Sequence, residues 1–177
     1  MNYYTSDLHF GHSNIIDFEN RPFKNVDEMN FELIRRWNNK VCVVDDVYVL
    51  GDMFHFKDVD SCLEVLNILN GKKHLIVGNH DEIILNNPEL SSKFESIDYL
   101  KDITDDGTYL VLCHYPIQVW NKKHLGSLHL FGHVHSNTSN WHPMKYNFYG
   151  SFNVCVDVCN FEPYTLKELI ERDNYVR

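Results

Sequence analysis

Two kinds of apolar run alternate along the chain. Short runs rich in β-branched and aromatic residues cover residues 2–6, 47–50, 74–77, 109–113, 128–131 and 153–158, and each reads as a strand. Longer stretches repeat with the helical period. Residues 27–37 place Met29, Leu33, Ile34 and Trp37 on one face with Asp27 as N-cap, and residues 58–69 do the same with Cys62, Val65, Leu66 and Leu69. Thr165-Leu166-Lys167-Glu168 fits a capping box that opens a last helix, whose apolar face is Leu166, Leu169 and Ile170. Asp105-Asp106-Gly107 between apolar runs has the chemistry of a hairpin turn. Strands interleaved with helices predict an α/β architecture rather than segregated halves. Residues 137–149 are the least regular stretch, and their Trp141, His142 and Pro143 form either an exposed lip or a packed loop.

Composition narrows the picture. A chain of 177 residues, 44% hydrophobic and 14% aromatic, can bury one sizeable core, so a single domain over residues 1–177 is expected. The formal net charge of −9 gives no general footprint for a polyanion, which argues against long nucleic acid as partner. A phosphate-bearing substrate would need a local attraction, such as bound divalent cations provide. The five cysteines, Cys42, Cys62, Cys113, Cys155 and Cys159, form no Cys-x-x-Cys pair and read as small hydrophobes in a reducing compartment. No basic leader with an apolar stretch opens the sequence, and no run approaches the ~18 apolar residues of a membrane span, so a cytoplasmic protein without membrane contact is expected.

Chemistry enters where the strands end. Asp7-Leu8-His9 follows the first strand, Gly51-Asp52 the second and Gly78-Asn79-His80-Asp81 the third; His114 ends the run 109–113, and Gly132-His133-Val134-His135 ends the run 128–131. In open α/β sheets ligands collect outside the carboxyl ends of the strands. Residues i and i+2 of an extended segment point the same way, so Asp7 with His9, or His133 with His135, can reach one cluster. Glycine at 51, 78 and 132 lets the backbone turn off the strand and approach closely. Imidazole plus carboxylate suits Mn, Fe or Zn, and the absence of cysteine argues against a closed thiolate zinc site. Taken singly, Asp-x-His or Gly-Asp is ordinary polar loop; Gly-Asn-His-Asp and Gly-His-x-His are more specific, and the ordered set leaves the bland reading little room.

In that order the motifs resemble the signature of calcineurin-like metallophosphoesterases, with a match from residue 7 to residue 135. The first motif continues through Phe10-Gly11-His12-Ser13-Asn14-Ile15-Ile16 to Arg21-Pro22-Phe23, which is similar to a subgroup of small bacterial and phage phosphoesterases. The resemblance implies a four-layer αββα sandwich: two mixed sheets packed face to face, helices outside, and a dinuclear metal site at the strand edge. By position, Asp7, His9, Asp52 and His135 would hold one metal, and Asp52, Asn79, His114 and His133 the other, Asp52 bridging. Mn is favoured over Fe and Zn. It implies a hydrolase that cleaves a phosphomonoester or phosphodiester of a small molecule or nucleotide through a metal-bridging hydroxide. His80 would be the general acid and Asp81 its orienting carboxylate.

Around this centre the residue types leave alternatives open. His12 would contact substrate, back up a ligand or cap a turn. Arg21 would grip a phosphate in a fork or sit in a surface salt bridge. His55 would line the pocket or belong to a loop, and Tyr115 and Trp120 would stack on a substrate ring or pack. The rivals are a nuclease acting on short nucleic acid, which shares the metal signature, and a non-catalytic scaffold, which would be expected to lose His80 or ligands.

Overall fold

The computed structural model describes residues 1–136 and 148–176, so the expected lip at Trp141, His142 and Pro143 lies outside the described residues. Eight strands form two sheets of four: β1 (Asn2–Thr5), β2 (Asp46–Val49), β3 (Lys72–Ile76) and β4 (Ser96–Asp98) in one, β5 (Leu100–Asp105), β6 (Thr108–Cys113), β7 (Leu128–Phe131) and β8 (Ser151–Asn153) in the other. Among the described residues six α-helices accompany them: α1 (Ile15–Phe18), α2 (Val26–Lys40), α3 (Val59–Ile68), α4 (Glu82–Leu85), α5 (Pro88–Ser91) and α6 (Leu166–Arg172).

Pleating explains how the layers meet. Successive residues of a strand point to opposite faces. Tyr3, Val49 and Leu75 accordingly join Met29, Leu33 and Trp37 of α2 and Cys62, Val65 and Leu66 of α3 in one core. Their neighbours Tyr4, Leu50 and Ile76 join Leu110, Leu112, Leu128, Leu130 and Phe152 of the second sheet and Leu166 and Leu169 of α6 in another. The two sheets therefore pack face to face, as expected, with α2 and α3 covering the outer side of the first.

Two expectations about the layers change. The first sheet is parallel throughout rather than mixed; the antiparallel pair is β5–β6, and β6–β7–β8 run parallel. Beyond the second sheet the described segment between β6 and β7 holds only a three-residue turn of 3₁₀ helix, Lys123–Leu125. Trp120 covers that face instead, 94% buried against His129, with its indole N–H donating to the Ser127 carbonyl at 3.1 Å. It is core and not a substrate platform.

Local signals were read with mixed accuracy. The cap of α2 is Asn25, whose side chain accepts from the Glu28 N–H, and Asp27 lies inside the first turn, where its charge complements the helix dipole. Asp58 caps α3, and Thr165 and Glu168 form the expected capping box. Asp106 and Gly107 (φ 45° and 74°) make the two-residue turn of the β5–β6 hairpin. The run 153–158 ends as a strand at Asn153 and continues as a 3₁₀ turn, Val156–Val158. No helix among the described residues is long and apolar enough to cross a membrane.

Candidate metal centre

Because β1, β2 and β3 are parallel, and β6 and β7 are parallel, their carboxyl ends bring all five motifs to one edge. Backbone bonds tie the loops there. The N–H groups of Asp7 and His9 donate to the carbonyls of Gly51 and Asp52 at 3.0 and 3.1 Å, and the Gly132 N–H donates to the His114 carbonyl at 2.8 Å. The His133 N–H reaches across to the Asp7 carboxylate at 3.0 Å. A Cβ at Gly132 would collide with the Asp7 carboxylate and Ser6, which is why glycine stands before the Gly-His-x-His ligands.

Strain concentrates at the same place. Asp7, His9, Asp52, His133 and His135 all adopt left-handed backbone, with φ of 56°, 53°, 55°, 72° and 47°. Each such residue costs about 1–3 kcal/mol unless the surroundings hold it, and clusters of them occur where geometry is bought for function. Every one of these five is a residue singled out from the sequence as a ligand.

Among the described residues four trios of side chains could converge on an ion, and two of them consist wholly of the candidate ligands read from the motifs. Ligand atoms of Asp7, His9 and His135 lie within 4.8 Å of one another, and so do those of Asp52, His114 and His133. Asp52 stands between them, its Oδ2 3.9 Å from His9 Nε2 and 3.6 Å from His114 Nε2. Asn79 Oδ1 lies 3.1 Å from His114 Nε2. The two groups hold six of the seven residues that the resemblance assigns to metals, with Asp52 at their junction.

The donors fit cations. His9 is buried with neither ring nitrogen hydrogen-bonded among the described residues. Burial, then the neighbouring His135 and Arg21, push its pKa far down, so it is a neutral imidazole whose lone pair has no proton to hold. A buried unpaired polar atom is costly, and a metal ion would satisfy it. Burial likewise pushes His133 down and Asp52 up, the signature of charges and lone pairs assembled without a counter-ion.

Outer contacts fix the ring orientations. His114 donates from Nδ1 to the Leu50 carbonyl at 2.7 Å, leaving Nε2 for the site. His135 donates from Nδ1 to Asp157 at 2.8 Å, leaving Nε2 3.8 Å from Asp7. Burial works against protonation of His135, but the Asp157 bond and the charges of Asp7 and Asp157 outweigh it and raise its pKa. Burial alone would raise Asp157, yet the bond from His135 and the charge of Arg21 hold it below its ordinary value. Metal-ligating histidines are oriented in this way by carboxylates and carbonyls.

Arg21 is a correction. Its guanidinium grips no open pocket: Nε and Nη2 fork onto Asp157 at 2.8 and 3.1 Å, and Nη2 and Nη1 also donate to the carbonyls of Asp7 and Leu8 at 2.8 and 3.0 Å. With every acceptor inside the protein and only 4% of the residue exposed, it braces the first motif from beneath. Asp81 is also placed differently from the sequence reading. It is fully buried and accepts from the N–H groups of Asp52, Met53 and Gly78 at 3.0, 3.0 and 2.8 Å; the described bonds include none to the His80 ring.

Of the other candidates, His80 is exposed at the mouth, its ring 5.5 Å from that of His9 and 6.0 Å from that of His55. His12 and His55 stack face to face at 3.8 Å and 15°. They also fall within reach of His9 as a possible ligand trio, but lone pairs of parallel stacked rings run side by side instead of converging on an ion. Burial first, then His55, lowers His12 to about 4, so it offers a neutral N–H to the cleft. Tyr115 is 44% exposed and meets the rings of His114 and His133 edge-on at 4.9 and 4.8 Å.

Sequence reasoning missed Asp157 and Cys155. The Cys155 thiol, completely buried, donates to Asp7 Oδ2 at 2.8 Å. Burial, then the Asp7 charge, raises its pKa well above the ordinary thiol value and keeps it a donor. A signal existed for Asp157: an acid within the apolar run Val154-Cys155-Val156-Asp157-Val158 needs a buried partner.

Two stacked sheets thus deliver paired His/Asp clusters at one strand edge. No family model matches the chain. The uncharacterized protein MJ1445 of Methanocaldococcus jannaschii is 38% identical over 179 residues, covering 99% of this chain and 94% of its own. Gene 66 protein of Mycobacterium phage D29 is 30% identical over 159 residues, 76% of this chain and 78% of its own. Among solved structures, the protein of unknown function AQ665 from Aquifex aeolicus superposes with a TM-score of 0.75 at 26% identity, covering 97% of this chain and 98% of that one. The Pseudomonas putida nuclease MPE overlaps more loosely, at a TM-score of 0.49 and 20% identity over 76% of this chain and 60% of that one. The chain belongs to one family with MJ1445.

Proposed function

We propose that the protein is a dinuclear metal-dependent phosphoesterase that hydrolyses a phosphomonoester or phosphodiester of a small molecule or nucleotide. The observation that carries this reading is the pair of three-residue groups, Asp7/His9/His135 and Asp52/His114/His133, joined through Asp52. Asp7, His9, Asp52 and His135 would hold one ion and Asp52, Asn79, His114 and His133 the other; imidazole with carboxylate suits Mn, Fe or Zn, and Mn is the ion we favour. Bound divalent ions would supply Lewis acidity and an acidified water, and would reverse the local sign of a chain whose net charge is −9.

The chain's own groups do the rest. His80, exposed beside the centre, donates a proton to the leaving oxygen. Asp81 collects the amides of Gly78, Asp52 and Met53 and thereby fixes the loop from which Asn79 and His80 project relative to Asp52. His12, His55 and Tyr115 line the approach and offer neutral N–H and O–H donors to phosphoryl oxygens. Arg21 and Asp157 hold the Asp7 loop and His135 in place from below.

The test is metal reconstitution followed by turnover of p-nitrophenyl phosphate and bis-p-nitrophenyl phosphate. Release of p-nitrophenol from at least one, abolished by Asp52→Asn, is expected. No turnover of either with two equivalents of Mn, Fe or Zn confirmed by elemental analysis would refute the enzyme reading and favour a scaffold.

A further inference from the structure

Beside His80 lies a cavity of about 370 Å³ that borders the metal centre through Asn79 and His55 and extends away from it past Lys57. Phe54, Phe56 and Ile83 give it apolar wall, while Asn79, Asn86 and Glu82 add amide and carboxylate groups. Phe56 is its half-buried aromatic wall. Behind it sits the buried Phe54, ring centres 6.1 Å apart. The Phe56 ring also lies against the backbone of Gly11, where any Cβ would overlap it; Gly11 has φ of 83° and is anchored by its N–H to Asn30 Oδ1 at 3.1 Å. A ring held on a glycine platform and backed by a buried aromatic is a rigid stacking surface, of the kind that receives a planar heterocycle.

We propose that this cavity seats a nucleoside as the leaving group, so that the substrate is a nucleotide ester cleaved on its nucleoside side. The proposal rests on the phosphoesterase reading above and on His80 as proton donor. Its chemical logic is positional: His80 forms part of the cavity wall, so the oxygen it protonates belongs to whatever fills the cavity. Phe56 would stack the base, and the Asn86 amide and Glu82 carboxylate offer hydrogen-bond partners for its edge. In the step itself a water oxygen bonds to phosphorus and the P–O5′ bond breaks. His80 gives its proton to O5′, and the proton lost by the attacking water leaves to solvent.

Adenosine 5′-(methyl phosphate) tests this, because its two ester oxygens both leave as primary alkoxides and chemistry alone does not choose between them. Mn-loaded protein is expected to yield adenosine plus methyl phosphate over AMP plus methanol by at least tenfold, read by phosphorus NMR. Phe56→Leu, which keeps apolar volume, should retain both metal ions and lose the bias; Phe56→Tyr should restore it. Adenosine alone should bind the Mn-loaded protein in ligand-observed NMR and not its Phe56→Leu variant. AMP plus methanol as the main product, or no adenosine binding to the wild-type protein, overturns the proposal. Adenosine binding that depends on Phe56 in a protein without turnover would support the cavity assignment and sink the enzymatic reading, so the two fail separately.

Discussion

At the scale of single residues, the proposed function divides the centre into groups that would face substrate and groups that hold those groups still. His80 belongs to the first kind. His80→Ala is expected to keep both metal ions and lower turnover by roughly 10²–10⁴-fold, the usual contribution of a positioned acid. Elemental analysis beside steady-state kinetics checks it, and loss of metal would refute the role. Asp157 belongs to the second kind, since its bond to His135 fixes the imidazole tautomer. Asp157→Asn should weaken metal binding by roughly 10–100-fold, measured by competition with a chelating dye. Arg21→Ala should reduce stability by up to roughly 3 kcal/mol in urea unfolding, because it leaves the buried Asp157 carboxylate with His135 as its remaining partner. The first-motif ligands were legible from residue type and i, i+2 spacing. Asp157 and Cys155 were not, because their partners lie 22 and 148 residues away and no local pattern records such a distance.

At the scale of elements, local chemistry wrote most of the boundaries. The capping box at Thr165 and the cap at Asp58 could be read directly, since the cap and the amide it accepts from are three residues apart. The start of α2 was misread because Asn25 and Asp27 both have capping side chains, and only the extended backbone of Asn25 (φ −160°) decides between them. Asn25→Ala should therefore destabilise by about 1 kcal/mol in thermal or urea unfolding, while Asp27→Asn should have a smaller effect. Strands β4 and β5 escaped the sequence reading. Residues 96–98 are half-buried without alternation, and β5 alternates half-buried with exposed positions through polar residues, so neither gives a hydrophobic signal.

At the scale of the whole molecule, the candidate site is where two sheets meet, and the proposed ligands come from both: Asp7, His9, Asp52 and Asn79 follow strands of the first, His114, His133 and His135 follow strands of the second. Ions held there would bind the folded chain and not the unfolded one. Saturating Mn at about a hundred times its dissociation constant should then add about 2.7 kcal/mol of stability. A rise in melting temperature on adding Mn, reversed by chelator and absent in Asp52→Asn, is the expected result in differential scanning fluorimetry.

By itself the sequence determined which residue types could carry chemistry and where along the chain they lie. Strand ends are set by local periodicity, and ligand identity is written in residue type, so the five motifs and their α/β frame could be read without coordinates. Only the tertiary structure decided that the first sheet is wholly parallel, that Arg21 lies under the centre and not over it, and that Trp120 is core. These are matters of which face a side chain takes and what it meets far along the chain. Burial and pairing are settled by packing between distant segments, and nothing in a local stretch of sequence encodes them.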